Sequence, residues 1–219
     1  MQLSEIDNPD VHDLLQIDPS SVSNIAAPFW VEQALRSCPW VVVRRAKAPE
    51  GQIAVGVRGA TRSERWGGFF KTCIVRKIVR PEELLNFWRS PDPVPQTPAR
   101  KALQNLIKSW HELTCPWGPI GSLGFELATG RRVTTELSDL DIVIRAPVRI
   151  SAEQARFLWE CAIDLQTKLD IRVETPECGF SLQEYACNSS GRILLRYPDG
   201  LSLGDDPWSQ RSPKLAIAS

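Results

Sequence analysis

The stretch SDLDIVI, Ser138 to Ile144, sets two aspartates one residue apart in a run that otherwise reads as a buried β-strand. Successive side chains leave a strand on opposite faces, so Asp139 and Asp141 share one face and Leu140, Ile142 and Ile144 fill the other. Two carboxylates that close each resist ionising beside the other, and their repulsion gains nothing for folding. A divalent cation removes the conflict. Magnesium is the expected ion, because it is hard and takes one or two carboxylates together with phosphate oxygens and water.

Residues on either side of this stretch extend the same reading. Upstream, GPIGSLGFELATG (118–130) places Gly121-Ser122 where an apolar turn meets a short helical stretch. Glycine lets the backbone approach a phosphate, and the serine hydroxyl and following amides can donate hydrogen bonds to it. Downstream, Asp170 opens a strand on which it shares a face with Arg172 and Glu174. A third carboxylate, Asp170 or in reserve Glu174, can complete a metal site and accept the proton of an attacking hydroxyl. A lone D-x-D usually means solvated charge, and a lone Gly-Ser says almost nothing. The argument rests on their ordered succession.

The chain has 219 residues, enough for one large domain or two small ones. Lysine plus arginine equals aspartate plus glutamate at 26 each, which argues against a long nucleic acid as the main partner. No apolar run approaches the length of a membrane span. The start, MQLSEIDNPD, is too acidic for a secretory signal. Six scattered cysteines without a CxxC pair, and only two histidines, read as reduced and mostly packed thiols in a cytoplasmic protein.

Along the chain, PFWVEQALRS has helical spacing, and WVVVRRA (40–46), QIAVGVRG (52–59) and FFKTCIVRKIV (69–79) read as strands. PEELLNFW, opened by Pro81, reads as a short helix, and SPDPVPQTP (90–98) as a linker. Thr97-Pro98 starts a helix with the apolar stripe Ala99, Ala102, Leu103, Leu106, Trp110 and Leu113. A strand is expected over 139–146, a helix from Ser151 to Lys168, a strand over 170–175 and a hairpin turning at Pro198-Asp199-Gly200. The expectation is an α+β chain: a smaller β-rich N-terminal domain over 1–95 that binds substrate or partner, a mixed sheet with helices over 96–208, and a loose tail over 209–219.

The ordered set Gly-Ser, D-x-D and a later acid resembles the polymerase-beta type of nucleotidyltransferase, which implies that fold for the second domain and a catalytic role for it. Ser122 and Asp139 stand 17 positions apart, so RRVTTEL must form an extension of the usual hairpin, and the roles of Glu126 and Arg131 stay open. Further stretches narrow the resemblance: PWVVVRRA, VGVRGATRSERWGGFF, GPIGSLGFELATG, SDLDIVIRAP, VETPECGFSLQEYA and RILLR with DPW. Together they are similar to the malonate decarboxylase holo-acyl carrier protein synthase family, the phosphoribosyl-dephospho-CoA transferases, over about residue 37 to residue 208. The resemblance implies transfer of 2′-(5″-triphosphoribosyl)-3′-dephospho-CoA to a serine of the decarboxylase's apo carrier protein, with release of pyrophosphate. It carries the family's aspartate pair onto Asp139 and Asp141, with Asp170 as third ligand or base. The accompanying substrate-binding set is Gly121, Ser122, Ser138, Arg58, Arg62 and Arg172.

Between Arg58 and Arg80 the chain carries seven basic residues against one acid, Glu64. Arg76, Lys77 and Arg80 read as a solvated face. GVRGATRSERWGG reads as a loop whose glycines bracket Arg58, Arg62 and Arg65; arginine forks match phosphate, and Trp66 offers a surface for adenine. The same region could dock an acidic carrier protein. Two other readings stay in play: a nucleotidyltransferase with another acceptor (the citrate lyase carrier protein or a small molecule), and a non-catalytic nucleotide-binding module.

Overall fold

The computed structural model describes residues 8–22, 26–61, 63–87, 96–163, 165, 167–188 and 191–211. It is a mixed α+β chain built on two sheets. Arg62, most of the proline-rich stretch and the end of the tail lie outside the described residues.

The first sheet is antiparallel throughout, in the order β4-β3-β2-β1-β5. Its members are β1 (Leu14–Ile17), β2 (Trp40–Val43), β3 (Gln52–Arg58), β4 (Arg65–Lys71) and β5 (Val75–Val79), with helix α1 (Phe29–Ser37) between β1 and β2. Alternation along the strands divides its side chains cleanly. Leu15, Val41, Val43, Val55 and Val57 pack under Val31 and Leu35 of α1, while Leu14, Val42 and Val79 face the rest of the molecule. Two expectations needed correction here. The run 69–79 is not one strand: a 3-10 turn at Thr72–Ile74 breaks it, and the chain crosses from β4 at one edge to β5 at the other. RWGG is not loop, since Arg65 pairs with Arg58 and Gly67 with Gly56 along the β3–β4 ladder.

After a 3-10 turn at Pro81–Glu83 and the short α2 (Leu84–Phe87), α3 (Pro98–Ser109) opens the second half. Thr97 caps it by accepting the Arg100 N–H, and Pro98 takes the first helical position, where a missing donor costs nothing. The second sheet runs β11-β10-β9-β8-β7-β6. Its elements are β6 (Trp117–Pro119), α4 (Gly121–Thr129), β7 (Leu140–Arg145), α5 (Ala152–Ile163), β8 (Leu169–Glu174), β9 (Gly179–Ser181), α6 (Leu182–Cys187), β10 (Ile193–Tyr197) and β11 (Gly200–Gly204). The helix expected to reach Lys168 ends at Ile163. Only β7 and β8 are parallel, and a parallel pair needs a long crossover, which α5 supplies. Ile142, Val143 and Ile144 are all buried, so β7 is covered on both faces and serves as the spine of the second core.

Buried charges fasten the two sheets together. Arg145, at the end of β7, reaches Asp13, Glu82 and the Val11 carbonyl of the first half. Glu174, at the end of β8, takes His12 at 3.0 Å and Arg45. Burial alone would raise the Glu174 pKa, but its bonds to His12 and Arg45 hold it below the usual carboxylate range. Asp13 goes the other way: burial, only partly offset by the Asp10 N–H and Arg145, pushes it up to about 6. A carboxyl whose pKa is raised on folding adds stability fully present below about pH 4 and lost as pH rises through about 6. Wild-type protein is therefore expected to lose on the order of 2 kcal/mol relative to Asp13→Asn between pH 4 and 7. Urea melts of both proteins across that range check it, and parallel pH curves would contradict it.

Candidate active site

The register of the parallel pair decides what stands at the sheet's edge. Leu140 lies opposite Leu169 and Asp141 opposite Asp170, so the two aspartates stand side by side on adjacent strands, whose ordinary spacing is about 4.8 Å. Asp139 precedes β7 by one residue and adds a third negative charge. The consequence falls on Asp141. Burial first, then the charges of Asp170 and Asp139, raise its pKa, and Arg58 and Arg172 offset them in part.

Asp141 also rests against the start of α4. The Ile120 N–H bonds to the Asp141 carbonyl at 2.8 Å. Gly121 has φ +61°, and a Cβ there would fall 2.0 Å from Asp141 Oδ2. Glycine is required twice over, by its backbone conformation and by the carboxylate packed on it. The sequence reading assigned Gly121 to a phosphate; its first contact in the structure is Asp141. Ser122 follows on the opening turn of α4, whose free amides carry partial positive charge.

These residues face a cleft of about 1060 Å³ between the two halves, ample for a large nucleotide-like ligand. Gly121, Ser122, Ser138, Asp139, Asp141 and Arg58 all line it. The Ser138 hydroxyl accepts the Thr135 N–H at 2.9 Å, which closes a turn at the cleft wall. Asp170 and Arg172 are not part of the lining, although both act electrostatically on Asp141. Asp170 Oδ2 accepts from Arg172 Nη2 at 2.7 Å and Nε at 3.2 Å. Arg172 Nη1 is buried with no hydrogen-bond partner. Glu174, the alternative third carboxylate, pairs across from Arg145 at the far end of β8, and His12 and Arg45 occupy it. Four residues of strand separate it from Asp170, roughly 13 Å. That distance removes it from the site.

The oxygen donors of Asp139 and Asp141 match what magnesium takes, and the raised pKa of Asp141 is the conflict that a cation relieves. Among the described residues, however, no three carboxylate, imidazole or thiol groups stand close enough to enclose one ion. Asp170 is held by Arg172, and Asp139 has Lys168 at 3.8 Å. The residues fit a cation bound by two carboxylates better than a closed protein cage.

The role of Glu126, open on sequence, is structural. It is buried on α4, where one oxygen accepts from Arg100 Nη2 at 2.6 Å and Nε at 3.0 Å. The other accepts from the Val133 and Thr134 N–H groups and the Thr134 hydroxyl. Burial works against ionisation, yet these bonds hold its pKa below the usual range. One side chain thus pins RRVTTEL, which contributes Arg132, Val133, Thr135 and Leu137 to the cleft. Arg131 ties the same loop to Ser37 at the end of α1. A glutamate within the apolar run LGFELA was the one sequence signal of this anchor. Trp66 is half-buried and tilts on Phe70 on the α1 side, so its ring offers the cleft less surface than expected.

Residues 86–207 match the family described as phosphoribosyl-dephospho-CoA transferase MdcG C-terminal domain, and residues 10–81 match its N-terminal domain. The chain belongs to the phosphoribosyl-dephospho-CoA transferase family. It is an enzyme of the transferase class. A phosphoribosyl-dephospho-CoA transferase of Pseudomonas aeruginosa is 36% identical over 201 residues, covering 91% of this chain and 94% of that one. One of Pseudomonas putida is 36% identical over 207 residues, covering 94% and 98%. A third, of Azotobacter vinelandii, is 34% identical over 203 residues, covering 92% and 95%. No solved structure matches the chain at a significant level. The six cysteines are unpaired; Cys178 is buried, while Cys73 and Cys187 are exposed, so the thiols are less packed than expected.

Replacing Glu126 by alanine would remove the buried carboxylate that accepts twice from Arg100 and would release the loop. The expected outcome is a loss of about 3 kcal/mol in urea unfolding, with faster proteolysis between residues 130 and 138. A stability within 1 kcal/mol of wild type, roughly a surface effect, would contradict the anchor.

Proposed function

We propose that the chain transfers a triphosphoribosyl-dephospho-CoA group to a serine of the apo acyl carrier protein of malonate decarboxylase and releases pyrophosphate, by a magnesium-assisted in-line attack. The observation that carries this reading is the pair Asp139 and Asp141, lining the cleft beside Gly121-Ser122 at the start of α4, with Asp170 next to Asp141 on β8. Family membership supports the donor half. The malonate decarboxylase acceptor and the polymerase-beta likeness of the second half rest on the sequence resemblance.

The serine Oγ of the acceptor forms a bond to the phosphorus nearest the ribose as that phosphorus loses its bond to the departing pyrophosphate. Asp170 is the candidate acceptor for the serine proton, and its two bonds from Arg172 keep the carboxylate oriented. Ser122 and the amides of the first turn of α4 would receive the pyrophosphate. Ser138 and Arg58 line the approach, and Arg58 adds positive charge beside Asp141. Asp139 and Asp141, with Asp170 as the third candidate ligand, would hold magnesium, which neutralises charge on the transferred phosphate and the leaving group. Such transfers need little beyond positioning and charge, so no thiol or imidazole nucleophile is called for.

Asp141→Asn removes a carboxylate whose charge is disfavoured in the fold. Its melting temperature is expected to equal or exceed that of wild type, while magnesium-dependent loading of the carrier falls about 1000-fold. Near wild-type loading by this variant would sink the assignment. Loading lost together with the fold would contradict the electrostatic account of Asp141.

A further inference from the structure

The cleft-facing side of the first sheet has a gap where two glycines pair across strands. Gly56 of β3 lies opposite Gly67 of β4, and Val42 of β2 lies opposite Gly56. Glycine weakens a strand because it loses more chain entropy and packs nothing, so two of them side by side call for a reason. The reason is Arg44. A Cβ on Gly56 would come 3.1 Å from Arg44 Cδ, and one on Gly67 would come 1.9 Å from Nη1 and 2.7 Å from Cζ. The arginine therefore runs flat across three strands over bare backbone. Its guanidinium ends near Arg65, two residues along β4 on the same face. Both arginines line the cleft and are exposed. Among the described residues no carboxylate closes on either of them.

A fork held flat and unpaired suits a diphosphate, which it can grip through two parallel bonds. The donor named in the proposed function has two phosphate arms: the triphosphate that reacts, and the diphosphate joining adenosine to the pantetheine chain. The reacting arm must lie at Asp139, Asp141 and Gly121. Arg58 belongs with it, since its charge acts on Asp141, whereas Arg44 is not among the main charges acting there. The second arm then needs its own positive site. We infer that Arg44, laid over the Gly56–Gly67 pair and joined by Arg65, is the subsite for the non-reacting diphosphate of the dephospho-CoA half. This rests on the proposed donor, and it assigns Gly67 of RWGG, with Gly56, to substrate binding through the arginine they accommodate.

The glycine gives a test that a merely structural role would fail. Gly67→Ala should displace the far end of Arg44 without touching its charge, and an alanine in mid-strand loses less entropy on folding. Calorimetric titration with dephospho-CoA, which lacks the triphosphate, is expected to show binding about tenfold weaker in both Arg44→Gln and Gly67→Ala. The melting temperature of Gly67→Ala should stay level or rise, and tripolyphosphate should bind both variants as it binds wild type. Wild-type affinity for dephospho-CoA in either variant, or no binding by wild type itself, overturns the subsite. So does a variant that binds dephospho-CoA normally and instead needs more carrier protein, because Arg44 would then serve the acceptor. Loading of carrier by wild type, measured alongside, reads the proposed function separately.

Discussion

The parallel pairing of β7 with β8 sets an aspartate beside an aspartate at the N-terminal ends of two inner strands, and much of the molecule is arranged around that one repulsion. The Asp141 carboxylate packs on the bare backbone of Gly121, and the Ile120 amide holds its main chain. The strand behind it is buried on both faces, so a shift in register would expose Ile142 or Ile144. The fold thus holds the charges together at a cost that the proposed cation would relieve. Asp170, beside Asp141, is held by two hydrogen bonds from Arg172.

A site of this kind needs a second wall, and the N-terminal sheet supplies it. Its α1 side is an ordinary aliphatic core, whereas its other side carries Arg44, Arg58 and Arg65 toward the cleft. Negative charge on one wall and positive charge on the other suit the polyphosphate donor proposed for the cleft. The walls stay in register because Arg145 and Glu174, at the closed ends of β7 and β8, are tied to Asp13, Glu82, His12 and Arg45 of the first half. The strands that carry the acids at one end thus carry the fastening at the other.

The sequence was informative where local chemistry is strong. Alternation and β-branching marked β2, β3, β7 and β8, Thr97-Pro98 marked the start of α3, and the spacing of Asp139, Asp141 and Asp170 pointed to one edge of a sheet. Other features depend on partners far away in the chain. Leu14–Ile17 forms a strand between β2 and β5, a pairing that four residues cannot announce. RWGG looked like a loop because glycine disfavours strands, yet the ladder with β3 and the lie of Arg44 override that preference. Glu174 shares a face with Asp170, so periodicity could not separate them; its place at the far end of β8 and its contacts with His12 and Arg45 do. The anchoring role of Glu126 was equally out of reach, since its partners Arg100 and Thr134 lie on either side of α4 in sequence and meet only in the fold.

The account turns on the transfer itself, and intact-protein mass spectrometry of the carrier measures it most directly. Apo carrier protein of malonate decarboxylase, incubated with this protein, magnesium and triphosphoribosyl-dephospho-CoA, is expected to gain one phosphoribosyl-dephospho-CoA on a serine, with one pyrophosphate released for each carrier modified. Unmodified carrier under those conditions, or adenylyl transfer from ATP of equal efficiency, would contradict it.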